Sequence, residues 1–140
     1  MFEPVDSHDN GLVSCLEAEG LPTIDLDRPG RIFWNLSIEG QVTGYVGMEI
    51  YGDAALLRSL AVLPQYKGKG YGARLVAEAT GQARLRGVSS LWLLTKTAEP
   101  FFSHLGWRIT ERGSAPEAVA RSDEFAGLCP ASALCMSLRI

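Results

Sequence analysis

Positive charge is scarce for a protein that would grip phosphate backbones: 13 Lys and Arg stand against 16 Asp and Glu, a formal net charge of -3. A basic face of the kind that neutralises nucleic acid is not expected, so nucleic acid is excluded as a partner. Blocks of like charge are missing too, and with them any acidic or basic tail. Long apolar runs are absent. The longest, around Leu60–Leu63 and Leu91–Leu94, have the length of strands, far short of the ~20 residues of a membrane-spanning helix. Met1–Asn10 is acidic and has neither the basic start nor the apolar stretch of a signal peptide. Cysteine is sparse: Cys15, Cys129 and Cys135 are an odd number with no CxxC pair, which fits a reducing compartment. By elimination a cytoplasmic chain with no membrane partner is expected.

The composition that remains, 46% hydrophobic and 21% charged over 140 residues, is that of a globular protein, and the length suits a single domain over residues 1–140. Phe2–Val5 reads as a short edge strand with Pro4 in it. Ser7 or Asp9 can cap a helix with Leu12, Val13, Leu16 and Ala18 on one side, ended by Gly20 and Pro22. Pro22–Gly30 is rich in Asp and Pro and reads as a loop. Three strand-like runs follow, Arg31–Ile38, Val42–Tyr51 and Ala54–Leu63, separated by the turn pairs Glu39–Gly40 and Gly52–Asp53. After Pro64 the period changes: Leu75, Val76, Ala79 and Ala83 recur at helical spacing, and Gly87 is a C-cap. Leu91–Leu94 is a buried strand, so strand, helix and strand form a right-handed βαβ unit with one parallel pair. A shorter helix covers Ala98–Leu105, and Trp107–Thr110 and Leu134–Ile140 are the final strands, with a helical turn at Pro116–Arg121 between them. The fold class is α+β: an antiparallel meander that runs into a βαβ half.

One run carries chemistry: Leu60-Ala61-Val62-Leu63-Pro64-Gln65-Tyr66-Lys67-Gly68-Lys69-Gly70-Tyr71-Gly72. Glycines at alternate positions let backbone N–H groups turn inward, and a helix start adds the positive end of its dipole. With Lys67 and Lys69 beside it, the loop suits a pyrophosphate. The spacing GxGxG is neither the GxGxxG of a dinucleotide fold nor the GxxxxGK[ST] of a P-loop. A lysine-glycine turn that binds nothing is the plain alternative.

With these residues in view the chain resembles the GNAT superfamily of N-acetyltransferases. The family's loop pattern, [QR]-x-x-G-x-[GA] after a strand ending in Val-x-Pro, is met by Val62-Leu63-Pro64 and Lys67–Gly72, with lysine in the Gln/Arg place. A later motif, Asn-x-x-Ala-x-x-Phe-Tyr-x-x-x-Gly-Phe, aligns with Thr95–Trp107 through Ala98, Phe101, Gly106 and Trp107. The resemblance implies a central mixed, mostly antiparallel sheet with flanking helices and a splayed parallel strand pair. It implies acetyl-CoA as co-substrate and no metal. The pantetheine arm would lie on the backbone of Leu60, Ala61 and Val62, and the pyrophosphate on Lys67, Gly68, Lys69, Gly70, Tyr71 and Gly72, with Phe101 and Phe102 completing the cofactor site. It implies a small-molecule amine as acceptor and a homodimer as a partner state that no single residue here carries.

More narrowly, Leu56–Val62, Leu93–Phe102 and Glu124–Ala133 are similar to the branch of the family associated with arsenic resistance. That likeness implies an amino-acid-like arsenical or related toxicant as acceptor. A peptide or protein amine, or CoA or arsenical binding without turnover, are the alternatives. The chain departs from the family at Phe102, where most relatives carry the tyrosine that protonates the leaving thiolate. Ser103, His104, Thr97, Tyr71 or water are the replacement donors, and the acid is left unassigned. The candidate catalytic positions are Glu49, Arg58 and Ser59. Glu49, on the preceding strand, is the best nearby carboxylate: a base working through water, a holder of an ammonium group, or a solvent-facing strand residue. Arg58, inside an apolar strand, either clamps a substrate oxyanion or is paired internally with Glu49, Asp53 or Glu124. Cys129 and Cys135 are buried apolar thiols in the simplest reading and soft arsenic ligands in the other.

Overall fold

Glu39 and Gly40 sit at φ 53 and 77, the two left-handed residues a tight hairpin requires for its twist to match the strands it joins. In the computed structural model, which describes residues 1–140, that turn links β2 (Arg31–Ile38) to β3 (Gln41–Tyr51). They pair antiparallel from Ile38↔Gln41 to Arg31↔Glu49, with one irregularity between Leu36 and Ser37. β1 (Phe2–Val5) adds to the far edge of β2, also antiparallel. The remaining elements are α1 (Asn10–Ala18), β4 (Ala54–Val62), α2 (Tyr71–Leu85), β5 (Ser90–Thr95), α3 (Glu99–His104), β6 (Arg108–Ile109), α4 (Glu117–Ala120) and β7 (Leu134–Arg139). The strands form one seven-stranded sheet in the order β1-β2-β3-β4-β5-β7-β6.

Two compact units divide the chain, Met1–Glu49 with Arg58–Gln82 and Ile50–Leu57 with Ala83–Ile140. In the first, α1 turns Leu12, Cys15 and Leu16 inward at helical spacing onto Leu26, Phe33, Tyr45 and Ala61. Asp9 is its cap and accepts from the Leu12 amide at 2.9 Å, the alternative of the two capping residues that the geometry selects. Gly11 permits the helix to lie on Tyr45: a Cβ there would stand 2.3 Å from the phenol oxygen. Gly44 of β3 is equally constrained, since a Cβ would meet the Ala61 carbonyl oxygen at 2.6 Å and Val62 Cα at 3.1 Å.

In the second unit β4 and β5 pair in parallel over Ala54↔Ser90, Ala55↔Leu91 and Leu56↔Trp92. β5 is covered on its other edge by β7, antiparallel from Ser90↔Arg139 to Thr95↔Leu134. The core here is Ala54, Leu56, Trp92, Val119 and Cys135. The helix, turn and strand boundaries follow the sequence reading within a residue or two. Two differences are topological. β7 inserts between β5 and β6, an order that no local pattern announces, and β6 is only Arg108–Ile109, paired with Ser137 and Met136 of β7. Glu124–Leu128 forms a single wide helical turn that bends at Gly127, φ 152.

Candidate functional site

β4 runs on to Val62 past the last of its parallel pairs, and inside it Ser59 is left-handed at φ 57. A side-chain-bearing residue in that conformation is strained by roughly 1–2 kcal/mol. The residues after it, Leu60–Val62, are those the resemblance assigned to the pantetheine arm.

From Leu63 the chain makes one tight helical turn, Pro64–Tyr66, with Tyr66 N donating to Leu63 O at 2.9 Å and Lys67 N to Pro64 O at 3.3 Å. Gly68 and Gly70 then take φ 79 and 85, open to glycine and costly to other residues. A Cβ at either would meet nothing within 4 Å, so the glycines serve the backbone path and the open space in front of it. Arg74 N donates to Gly70 O at 3.2 Å, the first bond of α2. Gly70 is thus the residue before the helix, and it has no side-chain oxygen to occupy the first amides. No acidic residue lies in the first turn. The N–H groups of Tyr71, Gly72 and the next residue, at the positive end of the helix dipole, are donors of the kind that can hold an anion. The Tyr66 and Tyr71 rings pack edge to face at 6.2 Å on either side of the loop. Lys67 is not held toward the amides: its Nζ lies 2.7 Å from Glu19 Oε1, both side chains partly exposed.

Beneath β4 lies the second feature, a buried quartet of charges. Arg58 donates from Nη1 to Asp25 Oδ2 at 2.6 Å and from Nη2 to Asp25 Oδ1 at 2.7 Å, a two-point pair. Nη1 also reaches Glu49 Oε2 at 2.7 Å, and Nε donates to Ser59 Oγ at 3.1 Å. Arg31 completes the group with Nη2 at 2.9 Å from Asp25 Oδ2 and 3.6 Å from Glu49 Oε1. Asp25 and Glu49 are each 1% exposed and Arg58 4%. Burial alone would push the Asp25 carboxyl up, but the hydrogen bonds and charges of Arg58 and Arg31 outweigh it and hold its pKa at about 2. Phe33 lies under the Arg58 guanidinium, ring centroid 6.0 Å from Cζ.

Of the residues singled out in the sequence, Glu49, Arg58 and Ser59 are therefore brought together, but as an internal network. Neither an open clamp nor a solvent-facing carboxylate describes them. Asp25 and Arg31 were missed as members. Asp25 sits in a loop whose Asp and Pro content signals only a turn, and it partners Arg58 across 33 positions of sequence. The one available signal was arithmetic: a buried arginine and a buried glutamate each need a counter-charge.

The aromatic pair of the later motif lies in the second unit. Phe102 is 5% exposed, with its ring edge-on to Phe101 at 5.0 Å and to Trp107 at 5.4 Å. Ser103 Oγ donates to Glu99 Oε2 at 2.9 Å. Cys135 is buried and Cys129 half-buried. Burial pushes the Cys135 thiol up, against a smaller opposing pull from Arg112. No group of three or more His, Cys, Asp and Glu side chains is placed to hold a metal ion, and no helix is long and apolar enough to cross a membrane.

A strand with a left-handed residue, leading through a glycine loop into the start of α2, frames the site. The model of the acetyltransferase (GNAT) domain family matches residues 29–109, and the chain belongs to that family. An uncharacterized N-acetyltransferase of Chlorobaculum tepidum is 33% identical over 92 residues, covering 65% of this chain and 59% of that protein. The [ribosomal protein bS18]-alanine N-acetyltransferase of Haemophilus influenzae is 33% identical over 66 residues, 46% of this chain and 45% of its own. The chain thus spans about half the length of these curated relatives. Among solved structures, N-acetylglutamate synthase from Neisseria gonorrhoeae, complexed with coenzyme A and L-arginine, has a TM-score of 0.82 at 20% identity. It covers 100% of this chain and 33% of that one, which shows the fold.

Proposed function

We propose that the chain is an acetyl-CoA-dependent N-acetyltransferase that acts on the amine of a small molecule. The observation that carries this reading is the Gly68–Gly72 loop: left-handed Gly68 and Gly70 with open space at their Cβ positions, leading into a helix that begins at Tyr71 with no acidic residue in its first turn. That cradle fits a diphosphate, and family membership supports acetyl-CoA as its owner.

When bound, acetyl-CoA supplies an acetyl thioester. Tyr71, Gly72 and the Gly68–Gly70 backbone would hold its pyrophosphate, and the Leu60–Val62 backbone would hydrogen-bond its arm. Lys69 adds positive charge, whereas Lys67 must exchange Glu19 for phosphate. Phe102 cannot donate a proton. A thiol of pKa about 8.5 leaves without a dedicated acid near neutral pH, so the chain's task is positioning and a neutral amine rather than protonation. Glu49, Arg58 and Ser59 support the strand that carries the site, and no proton is routed through them.

An arsenical or related amino-acid-like toxicant is the finer acceptor reading, carried by the likeness of Leu56–Val62, Leu93–Phe102 and Glu124–Ala133 to the arsenic-associated branch. A protein N-terminus is the second reading, favoured by the relative named for ribosomal-protein alanine acetylation. Release of free thiol from acetyl-CoA, measured with a panel of amino acids, amino-acid-like arsenicals and alanine-terminated peptides, tests all of it. Amine-dependent release with one of the small molecules is expected. Release with peptides only would transfer the assignment to a protein acceptor, and none with any amine would leave a CoA-binding module.

A further inference from the structure

The buried quartet is an internal network, yet through Arg58 it reaches Ser59 of the strand that would hold the cofactor arm. Arg58 is fixed at both ends of its guanidinium: Asp25 takes Nη1 and Nη2, Glu49 takes Nη1 again, and Nε is left to donate to Ser59 Oγ at 3.1 Å. Ser59 is the residue at φ 57, just before Leu60–Val62. Left to itself, a serine inside a strand would relax to the extended region. The packing denies Arg58 an alternative position: Phe33 lies under its guanidinium, and Gly47 leaves that ring room, since a Cβ there would stand 2.6 Å from it.

The geometry points to Asp25 as a positioning residue for acetyl-CoA binding, acting through Arg58 to keep Ser59 left-handed and so to aim the Leu60–Val62 backbone. This rests on the acetyl-CoA reading above and names a residue that touches no cofactor atom. Asp25 comes from the loop between α1 and β2, so that loop, distant in sequence, sets the course of β4. Two arginines and two carboxylates balance, which makes the group stable only when complete.

The test is calorimetric titration of CoA into wild-type, Asp25→Asn, Asp25→Glu and Ser59→Gly chains, and into the two double variants. Asp25→Asn should weaken CoA by about tenfold, and Asp25→Glu, which keeps the charge but displaces the guanidinium, by several-fold. Ser59→Gly added to either should restore most of the affinity, because glycine takes the left-handed conformation without help. A merely structural Asp25 gives no such rescue, since removing the serine hydroxyl only takes one more partner from Arg58. Should Asp25→Asn not fold, Asp25→Glu with its double variant carries the comparison. Folded Asp25 variants that bind CoA as wild type does, or a loss that Ser59→Gly leaves untouched, overturn the proposal. A wild-type chain that does not bind CoA overturns the acetyl-CoA reading itself.

Discussion

Asp25, Arg31, Glu49 and Arg58 bury two charges of each sign around three hydrogen-bonded contacts of 2.6–2.7 Å, so the residue scale is where the chain is most sensitive. Removing one partner from such a group typically costs about 3–5 kcal/mol, because the other charge remains buried. Glu49→Gln should therefore lower stability by an amount in that range, measured by urea unfolding at neutral pH. Loss of turnover in that variant without loss of stability would instead give Glu49 a direct part in the chemistry. Acid offers a second check on the same residues. The folded-state pKa of Asp25, about 2, lies below the ordinary 3.8, so its contribution is present above pH 4 and is lost as pH falls through 2. The difference corresponds to roughly 2 kcal/mol. Unfolding free energies measured between pH 5 and pH 2 should fall with pH in the wild type, and that part of the slope should disappear in a folded Asp25→Asn.

At the scale of elements the glycines divide by what surrounds them. Gly44 faces backbone, the Ala61 carbonyl at 2.6 Å and Val62 Cα at 3.1 Å, and neither can move without moving β4. Gly44→Ala should cost about 1–3 kcal/mol and weaken CoA binding as well, read by melting temperature with and without CoA. Gly81, inside α2 with nothing within 4 Å of its Cβ position, predicts the opposite sign. Gly81→Ala should stabilise the chain by about 0.5–1 kcal/mol. A melting temperature that falls there would mean a neighbour the packing does not show.

These elements were largely legible from sequence. Periodicity marks α1 and α2, the Glu39–Gly40 pair marks its hairpin, and alternating glycines mark the loop, because each signal is local. What stayed hidden is non-local. Nothing near Asp25 points to Arg58, the left-handed Ser59 sits in a run that reads as plain strand, and β7 takes its place between β5 and β6 through pairing alone. For Arg58, the cost of burying a lone charge raised the right question, while partner choice depended on the fold.

For the whole molecule, fold and family are common to many acceptors, so they cannot select one. The thiols do limit one of the arsenic-related ideas. Cys135 and Cys15 are buried and only Cys129 is half-buried, so no two thiols lie open together to a metalloid that prefers several soft ligands. Native mass spectrometry after arsenite exposure should show no adduct, while the urea-unfolded chain should take it up. A native adduct would reopen a binding role. The account as a whole turns on the anion cradle at the start of α2. Its most direct test is the heat of CoA binding to the wild type and to Gly70→Glu, which puts a carboxylate into the open space before those amides. Saturable binding to the wild type and none to the variant is predicted; equal binding by both, or none by the wild type, would contradict it.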